Sequence, residues 1–271
     1  MSKIEEEGFL SEEAEAGKIH IYEKYKDFFG FAKDINKLCM KLLTELKIDW
    51  EDNHKLIVDM LFLRVVESFQ GAFLFLERGM VPQAKVVTRA MLEIVFMLVA
   101  LQKKPHLLKS YLVDQHEEAH RRSLKSALKF KSEGLKEATK KHGIEKLYLE
   151  KKNYLKNREL TPLSPKEWAT EAELDDFYNL YYVVYSNAIH SNPSALDDHV
   201  DKNPDETNLS TGPTDKDLYD VLKCGIVILI NAANSTELVN GTNIVEILDG
   251  HMAKFHGFDE KYYVQADHAL Q

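Results

Sequence analysis

Two opposite charges lie inside one of the most apolar stretches of the chain. Arg89 and Glu93 fall within the run from Val86 to Phe96, four positions apart, so a helix places them on one face. Because burying an unpaired charge is very costly, each side chain needs a partner. One interpretation is a mutual ion pair that orders the core. The other is a polar site, in which Arg89 holds an anion and Glu93 orients it or acts as a base.

A second set of polar side chains recurs at helical spacing just before a helix end. Its members are Tyr178, Tyr181, Tyr182, Tyr185, Ser186 and His190. Tyr182, Ser186 and His190 form one line along a helix, and the helix dipole at the C-terminus favours protonated His190. The set is interpreted either as a packing face with a capping histidine or as a pocket. In the pocket, Tyr182, Tyr185 and Ser186 bind a ligand and His190 acts as general acid–base.

Histidine and glutamate recur at metal-ligand spacing in two places. His116-Glu117-Glu118-Ala119-His120 matches the pattern in which two histidines bind zinc and a glutamate activates water. Its charged intervening and following residues are atypical of such helices. Glu117-x-x-His120 and Glu51-x-x-His54 have di-iron spacing, but capping at a helix start explains the second pair. The sequence therefore predicts no metal and no cofactor, and it leaves open whether His116, Glu117 and His120 bind a metal.

The charge of the chain is unevenly distributed around a net value of −9. Residues 103–160 carry 16 basic and 8 acidic groups, whereas residues 161–271 carry 6 basic and 19 acidic groups. The basic segment is interpreted as a solvated helical face that pairs with the acidic last third. The alternative is an arm that meets nucleic acid. Overall acidity disfavours nonspecific binding to phosphate chains and supports the first interpretation.

Apolar residues recur at helical spacing through most of the chain, which predicts an all-α fold with essentially no sheet. The expected helices cover approximately residues 18–46, 52–77, 82–103, 105–131, 133–156, 173–190, 215–238 and 243–255. The second and third are apolar on nearly every side, which predicts a central antiparallel hairpin in a multi-helix bundle. Asp52 or Asn53 can cap the second helix, Gly79 ends it and Pro82 starts the third. Residues 191–214 are predicted to form a long loop.

We predict one helical domain over residues 18–255, between an acidic tail at 1–17 and a C-terminal tail at 256–271. Cys39 and Cys224 lie far apart in sequence, which favours a reducing compartment over a disulfide framework. The N-terminus lacks the pattern of a secretory signal, and the longest apolar run is far shorter than the roughly 20 residues of a membrane span. We therefore expect a cytoplasmic protein without a membrane segment. Its all-round apolar helices favour a homo-oligomer.

Two motifs together carry a resemblance to a known family. Arg-Ala-Met-Leu-Glu at 89–93 and Tyr-Ser-Asn-Ala-Ile-His-Ser at 185–191 resemble the bacterial proteins catalogued as domain of unknown function 5677. The family's Gly-x-x-x-x-Ala stretch is similar to residues 79–84, and its Tyr-x-x-x-Ser-x-x-x-His element is similar to residues 182–190. The resemblance extends over about residues 50–240. It implies an all-α fold and no known activity, with a shared polar site formed by Arg89, Glu93, Ser186 and His190.

Two functions are compatible with these residues. The first is a binding or interaction module for a small anion or a protein partner, with the polar cluster serving recognition. The second is a metal-independent phosphodiesterase acting on RNA, in which Arg89 holds charge and His190 transfers a proton. Helical ribonucleases of toxin and phage-defence systems carry an arginine and a histidine on one helix, with four to six residues between them. Here residues 183–185 are Val, Val and Tyr, so Arg89 would have to replace that arginine from another helix.

Overall fold

The structure, a computed structural model, describes residues 3–157, 162–190, 199–202, 207–209 and 212–242, with positions 196, 255, 257, 258, 261 and 262. It confirms the all-α, multi-helix fold. The α-helices are α1 (Lys3–Glu7), α2 (Glu13–Lys24), α3 (Lys26–Glu45), α4 (Asn53–Leu76), α5 (Val81–Lys103), α6 (His116–Ala127), α7 (Glu133–Lys141), α8 (Ile144–Asn157), α9 (Pro165–Glu171), α10 (Asp175–Phe177), α11 (Val183–His190) and α12 (Leu218–Asn240). Short 3-10 turns occupy Gly8–Leu10 and Pro105–Leu107, and π-helical turns occupy Ser110–Gln115 and Tyr178–Tyr182.

The core lies where α4, α5 and α12 pack against one another, with α3 covering α12. Each of the three helices buries side chains on several sides, as expected for helices that are apolar nearly all round. The Asp52 side chain caps α4 by accepting a hydrogen bond from the backbone N–H of Lys55, at 3.0 Å. His54 Nε2 lies 2.8 Å from the carbonyl oxygen of Leu101. This contact places the start of α4 beside the end of α5.

Gly79 turns the chain between α4 and α5 and also meets a distant segment. Its φ is +71°, a left-handed conformation that glycine adopts without strain. A Cβ added at Gly79 would lie 2.5 Å from Ile21 Cδ1 and 2.8 Å from Pro213 Cβ, while the Gly79 carbonyl accepts a hydrogen bond from Thr214 N at 3.0 Å. The turn predicted at Gly79 and Pro82 therefore also anchors the segment that leads into α12.

Several helices differ from the sequence prediction. The helix expected over 105–131 is divided into the 3-10 turn at Pro105–Leu107, the π-helical turn at Ser110–Gln115 and α6. The helix expected over 18–46 is divided at Tyr25 into α2 and α3, and α2 reaches back to Glu13. The helix expected over 133–156 is divided beside Gly143, whose φ is +60°. The short helix α9 was not predicted, although Ser164 and Glu167 form a complete capping box at its start. The predicted division into one domain and two tails stays a prediction.

The last third contains one small addition to the helices. β1 (Val200–Lys202) and β2 (Thr207–Leu209) pair antiparallel within the segment that was predicted to be a long loop. The helix predicted at 243–255 lies outside the described residues, except for the buried Phe255. α12 is long and apolar enough to cross a membrane by length and composition alone, but most of it is buried in the core of the bundle.

Candidate functional site

The predicted polar residues of α5 meet the helical segment that ends at His190. α5 packs against α11 and against the π-helical turn that precedes it. Arg89 and Glu93, one turn apart on α5, face Tyr182 and Ser186, which are likewise one turn apart. We call these four residues the polar cluster. The cluster is partly buried, with 18% of the Arg89 side chain and 36% of the Glu93 side chain exposed.

All three nitrogens of the Arg89 guanidinium group are engaged within the polar cluster. Nε donates to Ser186 Oγ at 3.1 Å, Nη2 donates to Tyr182 Oη at 2.6 Å, and Nη1 lies 3.1 Å from Glu93 Oε1. The guanidinium carbon is 4.5 Å from the centroid of the Tyr182 ring, which adds a cation–π contact. A planar fork with several donors is suited to such a set of acceptors, whereas a lysine ammonium is not. Each of the three guanidinium nitrogens of Arg89 therefore has an acceptor within the protein.

The hydroxyl of Tyr182 bridges the two charges. It accepts from Arg89 and donates to Glu93 Oε1 at 2.7 Å. Burial and the neighbouring Glu93 carboxylate raise the pKa of Tyr182 to about 12. The phenol therefore stays protonated at neutral pH and remains a donor to the carboxylate. Ser186 Oγ in turn donates to the carbonyl oxygen of Tyr182 at 2.7 Å.

Aromatic packing holds the Tyr182 ring in place. Tyr178 stacks on it with ring centroids 4.9 Å apart and an interplanar angle of 18°, and Phe96 of α5 lies 6.2 Å from it in a tilted arrangement. Tyr178 and Tyr182 are the first and last residues of the π-helical turn. Single π turns inside helices are frequent at functional sites. The turn and its aromatic neighbours thus position the Tyr182 hydroxyl between Arg89 and Glu93.

Glu93 also lines a cleft of about 420 Å³ on the side of α5 that faces α6 and α9. We call it the Glu93 cleft. Its other walls include Met97 of α5, Arg122 of α6, and Ser164 and Trp168 at the start of α9. Within the part of the chain that the structure describes, Glu93 Oε2 accepts no hydrogen bond. The buried Trp168 Nε1–H donates none there either. The cleft therefore combines a carboxylate, a guanidinium group and the apolar surfaces of Met97 and Trp168.

Of the other predicted site residues, Tyr185 does not join the polar cluster, and the described residues neither place His190 in it nor exclude His190 from it. Tyr185 is buried and contacts Cys224 of α12, and burial raises the pKa of its hydroxyl far above the usual range. His190 ends α11, but its side chain lies outside the described residues. The roles assigned to both residues stay predictions.

Arg122 and Trp168 line the cleft but were not among the site residues predicted from the sequence. The only local signal was the capping box Ser164-x-x-Glu167, which indicates a helix start between the helices expected over 133–156 and 173–190. Nothing in the spacing of Arg122 indicates that α6 carries it toward α5.

The two glutamates of the candidate metal motif on α6 form ion pairs with basic side chains. Glu117 pairs with Lys151 of α8, and Glu118 pairs with Arg121 and Arg122. These basic partners lower the pKa of both carboxyl groups. The described residues contain no group of three or more His, Cys, Asp or Glu side chains positioned to hold a metal ion.

Comparison with known proteins gives one match. A family model described as a family of unknown function, DUF5677, matches residues 55–207, which is more than half of the chain. The matched range includes the whole polar cluster and the residues that line the Glu93 cleft. No curated protein and no solved structure gives a significant match.

Proposed function

Since the chain belongs to the DUF5677 family, whose function is unknown, we propose a function from its own geometry: it is a binding module whose Glu93 cleft holds a small zwitterionic molecule. The observation that carries this proposal is the double engagement of Glu93. Its Oε1 is bound by Arg89 and Tyr182, while the residue also lines the cleft. The polar cluster thus fixes a carboxylate at the edge of a cleft.

The charges around the cleft define the ligand that fits it. Glu93 favours an ammonium group or another strong donor, whereas Arg122 favours a carboxylate or phosphate. The Arg122 side chain is 68% exposed and has its Nε 3.1 Å from Glu118 Oε1, so it keeps donors for a ligand. Met97 and Trp168 supply an apolar wall. A volume of about 420 Å³ is within the usual range of small-molecule sites, so a molecule of amino-acid size with an apolar side chain fits.

The phosphodiesterase alternative is less well supported by the same contacts. It requires Arg89 to hold a phosphate group, but each of the three guanidinium nitrogens already contacts a protein oxygen. Freeing Arg89 would leave the Glu93 carboxylate without its cation, which is costly in a partly buried position. An RNA cleavage assay with the native protein and the His190→Ala variant tests this alternative. Cleavage that the variant loses would replace the binding module with the enzyme.

A matched set of three probes tests the proposed ligand class. L-Phenylalanine carries both charges, phenethylamine lacks the carboxylate and 3-phenylpropanoate lacks the ammonium group. A ligand at ten times its Kd stabilises the folded state by about 1.4 kcal/mol, which raises Tm by several degrees. We expect the largest shift from the zwitterion, and other apolar L-amino acids are screened in the same way to find the best fit.

Variants of Glu93 and Arg122 test which charge of the ligand each residue recognises. Glu93→Gln should abolish the preference for phenylalanine over 3-phenylpropanoate, and Arg122→Gln should abolish its preference over phenethylamine. Glu137→Gln, which changes an exposed carboxylate on α7, is the matched control and should retain both preferences. The proposal fails if no apolar amino acid shifts Tm, or if the cleft variants retain the discrimination of the native protein.

A further inference from the structure

The helices α6, α7 and α8 form a basic arm, residues 116–157. α8 packs against both α6 and α7. The arm has almost no core, because its buried side chains are Glu118, Leu124 and Leu155. Most of its surface is therefore exposed, including every residue of the loop and helix start from Leu128 to Glu137.

Among the described residues, the basic arm and the acidic last third of the chain form no ion pair with each other. The arm contains 12 Lys and Arg residues and 6 Glu residues in a protein whose net charge is −9. Its ion-paired carboxylates, on Glu117, Glu118, Glu133 and Glu150, all pair with basic residues of the arm itself. In the described ranges no ion pair joins the arm to residues 162–242. The expected pairing between these two parts of the chain is thus not among the described contacts.

Two exposed aromatic rings of the arm lie beside lysines. Phe130, with 40% of its surface exposed, lies between the exposed Lys129 and Lys131 in the connection from α6 to α7. Tyr154 of α8 is 38% exposed, and Lys151 Nζ lies 5.6 Å from the centroid of its ring. A lysine beside an aromatic ring pairs a cation with a flat stacking surface.

Tyr154 also lines a niche between α6 and α8. The niche has a volume of about 310 Å³ and is completed by His120, Leu147, Glu150 and Lys151. It offers a ring face for stacking and the Glu150 carboxylate as an acceptor, while the Lys151 ammonium is paired with Glu117. A nucleobase has a flat face for the ring and N–H donors, such as the N3–H of uracil, for such an acceptor.

We propose that the basic arm binds single-stranded nucleic acid. Phosphates contact the exposed lysines, and bases stack on Tyr154 and Phe130. Single-strand binding commonly combines a positive surface with aromatic stacking platforms. An acidic protein partner would contact the lysines without using the aromatic niche. A test of stacking on Tyr154 therefore distinguishes an acidic protein from single-stranded nucleic acid. The inference is independent of the proposed cleft ligand, because none of the lysines tested below lines the Glu93 cleft.

Fluorescence anisotropy with a labelled oligouridine of roughly 20 nucleotides measures the binding. Affinity should fall as KCl rises, because bound phosphates release counterions. The variant K125Q/K129Q/K131Q should weaken binding at least tenfold at low salt. It should also reduce the slope of log K against log salt by about 2, since each neutralised phosphate accounts for about 0.7 of that slope. The matched control K37Q/K41Q/K47Q removes three exposed charges from the region of α3. The control should bind within twofold of the native protein.

Tyr154 gives a test of stacking that does not change charge. Tyr154→Ala should weaken binding about tenfold, while Tyr154→Phe, which keeps a ring, should stay within twofold of the native affinity. Far-UV circular dichroism of each variant establishes that the helices persist. The proposal is overturned by absence of binding at low salt or by equal losses in the two lysine triples. It is also overturned if Tyr154→Ala binds normally and polyglutamate competes as well as unlabelled oligouridine, because the arm then recognises acidic protein.

Discussion

Replacing Tyr182 with phenylalanine removes a single hydroxyl from the polar cluster. That oxygen accepts from Arg89 at 2.6 Å and donates to Glu93 at 2.7 Å. The ring remains, so its stacking on Tyr178 and its contact with the guanidinium group persist. The direct pair between Arg89 and Glu93 at 3.1 Å also remains. The change therefore isolates the bridging hydroxyl.

The expected loss of stability follows from these contacts. A hydrogen bond to a charged group contributes about 1.5–3 kcal/mol. Because the Glu93 side chain is 36% exposed, water replaces part of the missing interaction, and we expect the free energy of unfolding to fall by about 1–2 kcal/mol. For a chain of this size that corresponds to a decrease in Tm of roughly 2–8 °C.

Urea titrations followed by circular dichroism measure the change. Tyr178→Phe is the matched control, since the Tyr178 hydroxyl makes no hydrogen bond among the described residues, and its cost should be below about 0.5 kcal/mol. In a Glu93→Gln background, Tyr182→Phe should cost clearly less, because the charged acceptor is gone. Equal stability of Tyr182→Phe and native protein, or an equal cost for the two tyrosine variants, would refute the bridging role.

Further substitutions test the turn and the buried titratable groups. Gly79→Ala should lower the free energy of unfolding by about 2–4 kcal/mol in urea titrations, because the added Cβ strains the left-handed backbone and crowds Ile21 and Pro213. The control is Gly143→Ala, since Gly143 has a similar positive φ but open space around it. This control should lower the free energy of unfolding by only about 1 kcal/mol. Burial raises the pKa of Asp59, so protonation of its carboxyl group stabilises the folded state. This contribution to stability is lost as pH rises through the pKa of the folded state. Asp59→Asn should thus stabilise the protein at pH 7, a gain that disappears in urea titrations below the unfolded pKa of about 3.8. The raised pKa of Tyr185 means that stability is lost as pH rises above about 10, and Tyr185→Phe should show a shallower alkaline decline of Tm.

The central helices could be predicted because their ends are marked locally. Asp52 caps α4, Gly79 takes a positive φ and Pro82 lies in the first turn of α5. No such marker occurs at Tyr25, where the chain leaves helical geometry without glycine or proline. At Gly143 a marker was present, yet the lysine-rich pattern on both sides suggested one continuous helix.

The polar cluster and the cleft differ in how far the sequence predicts them. Arg89 and Glu93 had to find polar partners because they sit in an apolar helix, and the line of Tyr182 and Ser186 offered them. The cleft depends instead on where α6 and α9 pack, which no periodicity encodes. Trp168 therefore had no predicted role.

The fluorescence of Trp168 tests most directly whether the Glu93 cleft binds a zwitterionic ligand. The chain has two tryptophans, and Trp50 is 78% exposed whereas Trp168 is 2% exposed, so Trp50→Phe leaves Trp168 as the only indole reporter. Titration of this protein with L-phenylalanine, or with the apolar amino acid that gives the largest thermal shift, should change its emission saturably. Adding Glu93→Gln should raise the apparent Kd at least tenfold. An emission that no zwitterion alters, or a Kd that is unchanged without the Glu93 carboxylate, would contradict ligand binding in this cleft.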